Sequence, residues 1–178
     1  RVAPHMTPAR IHKAPTKLLS GIAPRPLLLV QGTEDETVPS LDARALADAC
    51  WPGGLTLVLR QRDDVPFPSA LTGEAQTIGL RVPAHDAPRV LARAVGPLPT
   101  TSANVSGLPE APDAAAVQAQ LGDRIELILD GGPAHGGPAS TVLDCSVDRP
   151  RILRLGAIDE VRIAAILDGA GVLHDVGR

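Results

Sequence analysis

Trp51-Pro52-Gly53-Gly54-Leu55-Thr56-Leu57-Val58-Leu59 places a chain breaker directly before a short apolar run. A proline and two glycines end whatever precedes them, and the Leu- and Val-rich run suits a buried strand. Upstream, residues 41–50 read as an amphipathic helix with Ser40 as N-cap. Before that helix, Leu27-Leu28-Leu29-Val30 reads as a buried strand, entered through Pro24-Arg25-Pro26 and closed by Gly32. The first twenty residues form a loose arm without periodicity. Downstream, 60–73 is a polar loop, 77–82 a strand stopped by Pro83, 87–95 a helix and 98–101 a brief strand. A small-residue turn follows at Ser102-Ala103-Asn104-Val105-Ser106-Gly107, then a helix over 114–121 capped by Asp113. Residues 125–129 read as a strand, 130–137 as a glycine-rich loop, and 140–145 and 151–155 as strands. Asp159 caps a last helix through Leu167, beyond which the tail frays. Strands interleaved with helices in this way predict a layered α/β domain of the α+β type with a mixed sheet.

The composition agrees with that class. The chain has 178 residues, 44% hydrophobic and 21% charged, with a net charge of −3. Its apolar share is enough for a core, and no run nears the roughly 18 apolar residues of a membrane span. A globally basic nucleic-acid binder is disfavoured by the acidic balance. One Trp, one Phe and no Tyr leave no aromatic platform for stacking bases. Cys50 and Cys145 lie far apart with no metal-ligand spacing, so each reads as a buried free thiol in a reducing cytoplasm. The chain begins at Arg1, has its only Met at position 6 and shows no signal-like apolar region, so it reads as a fragment of a cytoplasmic protein.

Two arginines carry the chemistry. Arg81 is flanked by Ile78, Leu80 and Val82, and a cation in such a strand needs a carboxylate or a phosphate partner. Arg154, between Leu153 and Leu155, repeats the pattern with the same fork-shaped group. The partner of each is either an internal acid or an anionic ligand. The hydroxyl and amide groups of the 102–107 turn are suited to facing such a ligand at a strand end. The loop at 131–137 lacks the Lys-Ser/Thr ending of a phosphate loop and reads as a flexible connection, with His135 exposed. No Ser-His-Asp ordering, metal cluster or paired-carboxylate motif competes with a site for a polar, anionic small molecule.

Six segments, in order, resemble one family. The breaker-strand quoted above is similar to W-P-G-P-L-T-L-V, and Thr77-Ile78-Gly79-Leu80-Arg81-Val82-Pro83-Ala84-His85 to T-V-G-V-R-V-P-x-H. Thr101-Ser102-Ala103-Asn104-Val105-Ser106-Gly107 resembles T-S-A-N-x-S-G. Leu129-Asp130-Gly131-Gly132-Pro133, Ser140-Thr141-Val142-Leu143-Asp144 and Ile152-Leu153-Arg154-Leu155-Gly156-Ala157-Ile158 complete the series. These segments resemble the YrdC-like family, the threonylcarbamoyl-AMP synthases. The likeness runs over about residues 45–167, leaving 1–44 as an atypical N-terminal segment and 168–178 as the tail.

The resemblance implies a twisted mixed sheet flanked by helices and a nucleotidyltransferase. Such an enzyme condenses L-threonine, bicarbonate and ATP into threonylcarbamoyl-AMP and pyrophosphate, for threonylcarbamoyladenosine formation in tRNA. It further implies Mg²⁺ with the ATP, a downstream tRNA-modifying transferase complex as partner, a cytoplasmic location and no membrane. By position, Arg81, Ser102 and Ser140 would bind threonine, while Thr77, Asn104 and Arg154 would bind the nucleotide. Family members open with a P-T-D-T-V-Y-G-like strand and a K-x-R-P stretch, and this sequence contains neither. Losing several such phosphate contacts implies that turnover is nearly abolished and the chain inactive as a synthase. Pro112 also stands where the family carries a nucleotide-contacting threonine. Residues 22–39 resemble instead an α/β-hydrolase segment with Asp35 as the triad acid, although no G-x-S-x-G elbow precedes it. The alternative function is a non-catalytic module for double-stranded RNA, built on the arginines at 149, 151 and 154.

Overall fold

A computed structural model describes residues 27–29, 41–63, 67–134 and 136–177. Ser40, Asp35 and His135, and the arm at 1–20, lie outside the described residues. The chain divides into two compact units, one of residues 25–100 and 137–178, the other of 1–24 and 101–136.

The larger unit is built on a six-stranded sheet. Its strands are β1 (Leu27–Leu29), β2 (Leu55–Arg60), β3 (Thr77–Arg81), β4 (Leu98–Thr100), β5 (Thr141–Asp144) and β6 (Arg151–Arg154), in the order β4-β1-β3-β2-β5-β6. β1 runs parallel to β3 and β2 parallel to β5, whereas β1–β4, β2–β3 and β5–β6 are antiparallel. The sheet is therefore mixed, as expected, and residues 27–29 belong to it. The helices of this unit are α1 (Leu41–Cys50), α2 (Ser69–Thr72), α3 (Asp86–Val95) and, later in the chain, α5 (Glu160–Gly169).

Strand alternation divides the sheet into two faces. Leu55, Leu57 and Leu59 of β2, Ile78 and Leu80 of β3, and Leu143 of β5 are buried on one face. They meet Ala43, Leu46, Ala47 and Cys50 of α1 and Ile163 and Leu167 of α5. With so few aromatics, this core is a tight aliphatic one. The second face carries Thr56, Val58, Arg60, Thr77, Gly79, Arg81 and Asp144, five of them polar or charged.

Helix starts follow local chemistry. His85 Nδ1 accepts from the Ala87 amide at 3.2 Å and starts α3 one residue before the expected position. The Asp159 carboxylate accepts from the Arg162 amide at 2.7 Å and opens α5. The expected polar loop 60–73 contains the single turn α2. The tail departs further from expectation. α5 runs to Gly169, Gly171 turns the chain at φ +70°, and Val176 returns into the core with His174 buried beside it. His174 Nδ1 accepts the Val176 amide at 3.2 Å, and Nε2 meets Asp168 at 3.1 Å. Fraying is prevented because Val172 and Val176 have apolar surface to cover.

The smaller unit, in its described part, holds α4 (Ala114–Leu121) and a following 3₁₀ turn, Gly122–Arg124. Asp113 caps α4 by accepting the Ala116 amide at 2.8 Å. Residues 125–129 form no strand, and Leu127 and Leu129 are exposed. No second strand lies among the described residues of this unit to pair with that segment, and an apolar run without a ladder partner does not become a strand.

Both cysteines are buried and free, as expected. Burial, then the nearby carboxylates of Asp42 and Asp144, push the Cys145 thiol far above its usual range. Burial also raises Cys50, partly offset by Arg162. Native protein is expected to react with iodoacetamide at least ~10-fold more slowly than denatured protein at both thiols, because the thiolate is the reacting species. Mass spectrometry of labelled peptides checks this, and equal rates in the two states would contradict the buried placement.

Candidate functional site

Three of the expected residues meet on the second face of the sheet. Thr56 of β2 pairs in register with Val142 of β5, and Val142 with Arg154 of β6, so these three form one transverse row. Ser140 precedes Val142 by two residues and shares its face. Arg81 follows Leu80, whose partner on β2 is Leu57, which sets Arg81 beside Thr56.

Arg154 reaches this face through an irregularity. The pairing steps from Val142–Arg154 to Leu143–Ile152, so Leu153 is an extra residue in β6. Simple alternation would put Arg154 on the side of Ile152, which packs against the core. The bulge turns it to the polar side instead. There the Arg154 Nη2 donates to the Ser140 carbonyl at 2.9 Å and lies 3.4 Å from its hydroxyl.

Arg81 is half-buried, and its Nε donates to the Gly53 carbonyl at 2.9 Å. Desolvation, then the charge of Arg154, holds the Arg81 guanidinium below its usual range. Among the described residues no carboxylate pairs with Arg81 or Arg154. Two adjacent cations whose partners are carbonyls and a hydroxyl, with donors to spare, have the charge and geometry to suit an anion. This favours the external partner that the sequence left open.

Thr77 shares the face but not the cluster. It lies four residues from Arg81 along β3, about 13 Å at ~3.3 Å per residue. It lines an open hollow of about 380 Å³ with Val58, Arg60, Asp144, Ser146 and Arg151. Asp144 accepts from the Ser146 amide at 3.0 Å and from its hydroxyl at 2.6 Å, and pairs with Arg151 at 3.5 Å.

Ser102 and Asn104 belong to the smaller unit, where Ser102 is exposed. Asn104 is buried, and its Nδ2 donates to the Val105 and Leu108 carbonyls at 3.2 and 2.8 Å. Its Oδ1 is buried with no hydrogen-bond partner among the described residues. A fixed amide with an orphan acceptor calls for a donor beyond the described residues. The arginines considered for RNA are engaged: Arg149 with Asp175 at 3.4 Å, Arg151 with Asp144, and Arg154 with Ser140.

The sequence reading missed three supports. Gly53 supplies the carbonyl that holds Arg81. Thr56 donates from its hydroxyl to Ser140 at 2.9 Å. Gly156 leaves room for the backbone of Ala139 and Ser140, which a Cβ would strike. Its amide and that of Ile158 donate to Thr141 Oγ1, which donates in turn to the Ile158 carbonyl at 2.6 Å.

A family model described as telomere recombination, that of the Sua5, YciO and YrdC proteins, matches residues 11–156. The chain belongs to the Sua5/YciO/YrdC family. That match includes most of the N-terminal segment set apart above, so the hydrolase resemblance at 22–39 gains no support. The threonylcarbamoyl-AMP synthase of Bacillus subtilis is 40% identical over 143 residues, covering 79% of this chain and 40% of that protein. The Sua5 protein of Pyrococcus abyssi, in a crystal structure complexed with L-threonine, superposes with a TM-score of 0.73. It is 32% identical, over 84% of this chain and 44% of that one. YciO of Escherichia coli gives a TM-score of 0.66 at 26% identity, over 78% of this chain and 69% of its own. A Mycobacterium tuberculosis relative is 40% identical over 126 residues, and the chain spans 57% of it. The chain thus spans roughly half the length of these curated relatives.

No helix among the described residues is long and apolar enough to cross a membrane. Nor do three or more His, Cys, Asp or Glu side chains gather there in a way that would hold a cation. Mg²⁺ carried by ATP takes most of its ligands from phosphate oxygens and water, so it does not require such a cluster.

Proposed function

We propose that this member of the Sua5/YciO/YrdC family acts on L-threonine, bicarbonate and ATP, forming threonylcarbamoyl-AMP and pyrophosphate for tRNA modification in the cytoplasm. The observation that carries the proposal is the adjacency of Arg81 and Arg154 around Ser140, with no carboxylate partner among the described residues. Arg81 keeps Nε on Gly53 and has two terminal nitrogens for the threonine carboxylate, a two-pronged geometry. Ser140 gives a hydroxyl to the same amino acid, and Ser102 is assigned to it by the family resemblance alone. Arg154 offers its remaining donors to a phosphate, and the nucleotide extends over the face toward the hollow at Thr77, whose size is within the range of small-ligand sites. In the smaller unit, Asn104 keeps an Oδ1 without a partner among the described residues, and the family resemblance assigns this residue to the nucleotide.

In the reaction, the threonine amine takes up carbon dioxide as a carbamate. A carbamate oxygen then forms a bond to the α-phosphorus as the bond to pyrophosphate breaks. These residues contribute position and positive charge, with no covalent intermediate on the protein. The product passes to a transferase complex acting on tRNA.

Two measurements test the proposal, one for turnover and one for binding. Pyrophosphate release is expected only when threonine, bicarbonate and ATP are all present. Threonine or an ATP analogue at tenfold its Kd is expected to add ~1.4 kcal/mol of stability, or about 3–6 °C in Tm. A Tm unmoved by millimolar concentrations of both ligands would overturn it.

A further inference from the structure

Thr56 stands in β2 between two leucines that are fully buried in the core, and is itself buried on the opposite face. Its hydroxyl contacts Ser140 Oγ at 2.9 Å, across the strand pair and 84 positions away in sequence. Among the described residues no other group bonds to it. That isolation decides the direction of the bond. If Ser140 donated to Thr56, the Thr56 proton would be buried without an acceptor. Thr56 therefore donates. A serine hydroxyl can accept twice and donate once. Thr56 fills one acceptor direction, and Arg154 Nη2, at 3.4 Å, stands at the other. The remaining capacity of Ser140 is its proton.

We infer that Thr56 is a positioning residue that fixes Ser140 as a hydrogen-bond donor, making the cluster of Arg81, Arg154 and Ser140 donor-only and selective for a carboxylate over a carboxamide. The inference rests on the threonine site proposed above. A carboxylate accepts from every group in such a cluster. A carboxamide turns N–H protons toward side chains that only donate, and a donor left unpaired against them is disfavoured. Without Thr56, Ser140 can rotate and accept as well as donate, so a carboxamide regains one partner.

The test is isothermal titration of L-threonine and L-threoninamide against wild type, Thr56→Val, Thr56→Ser, Ser140→Ala and the Thr56→Val/Ser140→Ala double variant. Valine keeps the shape of threonine and removes only the hydroxyl. Wild type is expected to favour threonine on the order of 100-fold. Thr56→Val is expected to narrow that ratio about tenfold, while Thr56→Ser retains it within about twofold. In the Ser140→Ala background, Thr56→Val is expected to change the ratio no further, because the two residues act as one unit. If Thr56→Val does not fold by circular dichroism, Thr56→Ala replaces it with the same expectation. A merely structural Thr56 would weaken both ligands equally and leave the ratio alone, which would overturn the inference. Effects of Thr56→Val and Ser140→Ala that add would overturn it too. Wild-type protein that binds neither ligand at millimolar concentration would bring down the threonine site and this inference together. Wild-type threonine binding with an unchanged ratio in Thr56→Val would bring down the inference alone.

Discussion

Arg81→Ala is expected to abolish threonine-induced stabilisation while leaving the ligand-free protein close to wild-type stability. The two halves of that result have separate causes. In the ligand-free protein, Arg81 donates one hydrogen bond to Gly53 and is otherwise a half-buried cation facing a second cation. Losing the bond costs about 1 kcal/mol, and losing the repulsion and desolvation offsets part of that. With threonine bound, the same guanidinium carries a two-pronged bond to a carboxylate. Removing one partner of a desolvated charge pair costs about 2–5 kcal/mol. The threonine Kd should therefore rise between roughly 30-fold and several thousand-fold. Arg81→Lys keeps the charge without the fork and should fall between the two. Thermal melts with and without threonine, with calorimetry for Kd, check both halves. A variant that binds threonine within about threefold of wild type would remove Arg81 from the site.

Arg81 was legible because β3 alternates cleanly and a cation amid Ile78, Leu80 and Val82 has few physical excuses. The strand and helix pattern from 41 to 100 was legible for the same reason, since proline and glycine punctuate each element there. Arg154 was chosen by its neighbours, but its arrival beside Ser140 depends on the bulge at Leu153, and nothing in Ile152-Leu153-Arg154-Leu155 marks a bulge. Thr56 went unread because threonine in an apolar strand is an ordinary β-former. Its parity, opposite to Leu55, Leu57 and Leu59, was the available signal. The strand over 125–129 was misread for the opposite reason, because Ile125, Leu127 and Leu129 have the alternation of a strand but no partner strand among the described residues. The tail was misread because short-range polarity says nothing about Val176 finding the core.

Gly156→Ala should cost several kcal/mol of stability, more than Gly169→Ala, and should disable the site from a distance. The backbone of Gly156 is not in the left-handed region, so conformation is not the constraint. Space is. A Cβ there would strike the Ala139 carbonyl oxygen and the Ser140 carbonyl group, atoms of a backbone already held by the Ala157 amide on Ala139 at 2.8 Å. Relief requires the 156–158 loop to lift away from the start of β5, which breaks the bonds of Gly156 and Ile158 to Thr141. Overpacking of about 1–3 kcal/mol and the loss of one or two buried hydrogen bonds at about 1 kcal/mol each give a cost of roughly 2–5 kcal/mol. That corresponds to a Tm lower by about 4–20 °C. Because the lifted segment joins Arg154 to Ser140, ligand affinity should fall together with stability. Gly169→Ala supplies the opposite sign: it ends α5 in open space, so alanine there should be neutral or stabilise by up to about 1 kcal/mol. Equal melting temperatures for the two variants would mean that the 156–158 loop does not press on β5, and that Ser140 is held in place by Thr56 and Arg154 alone.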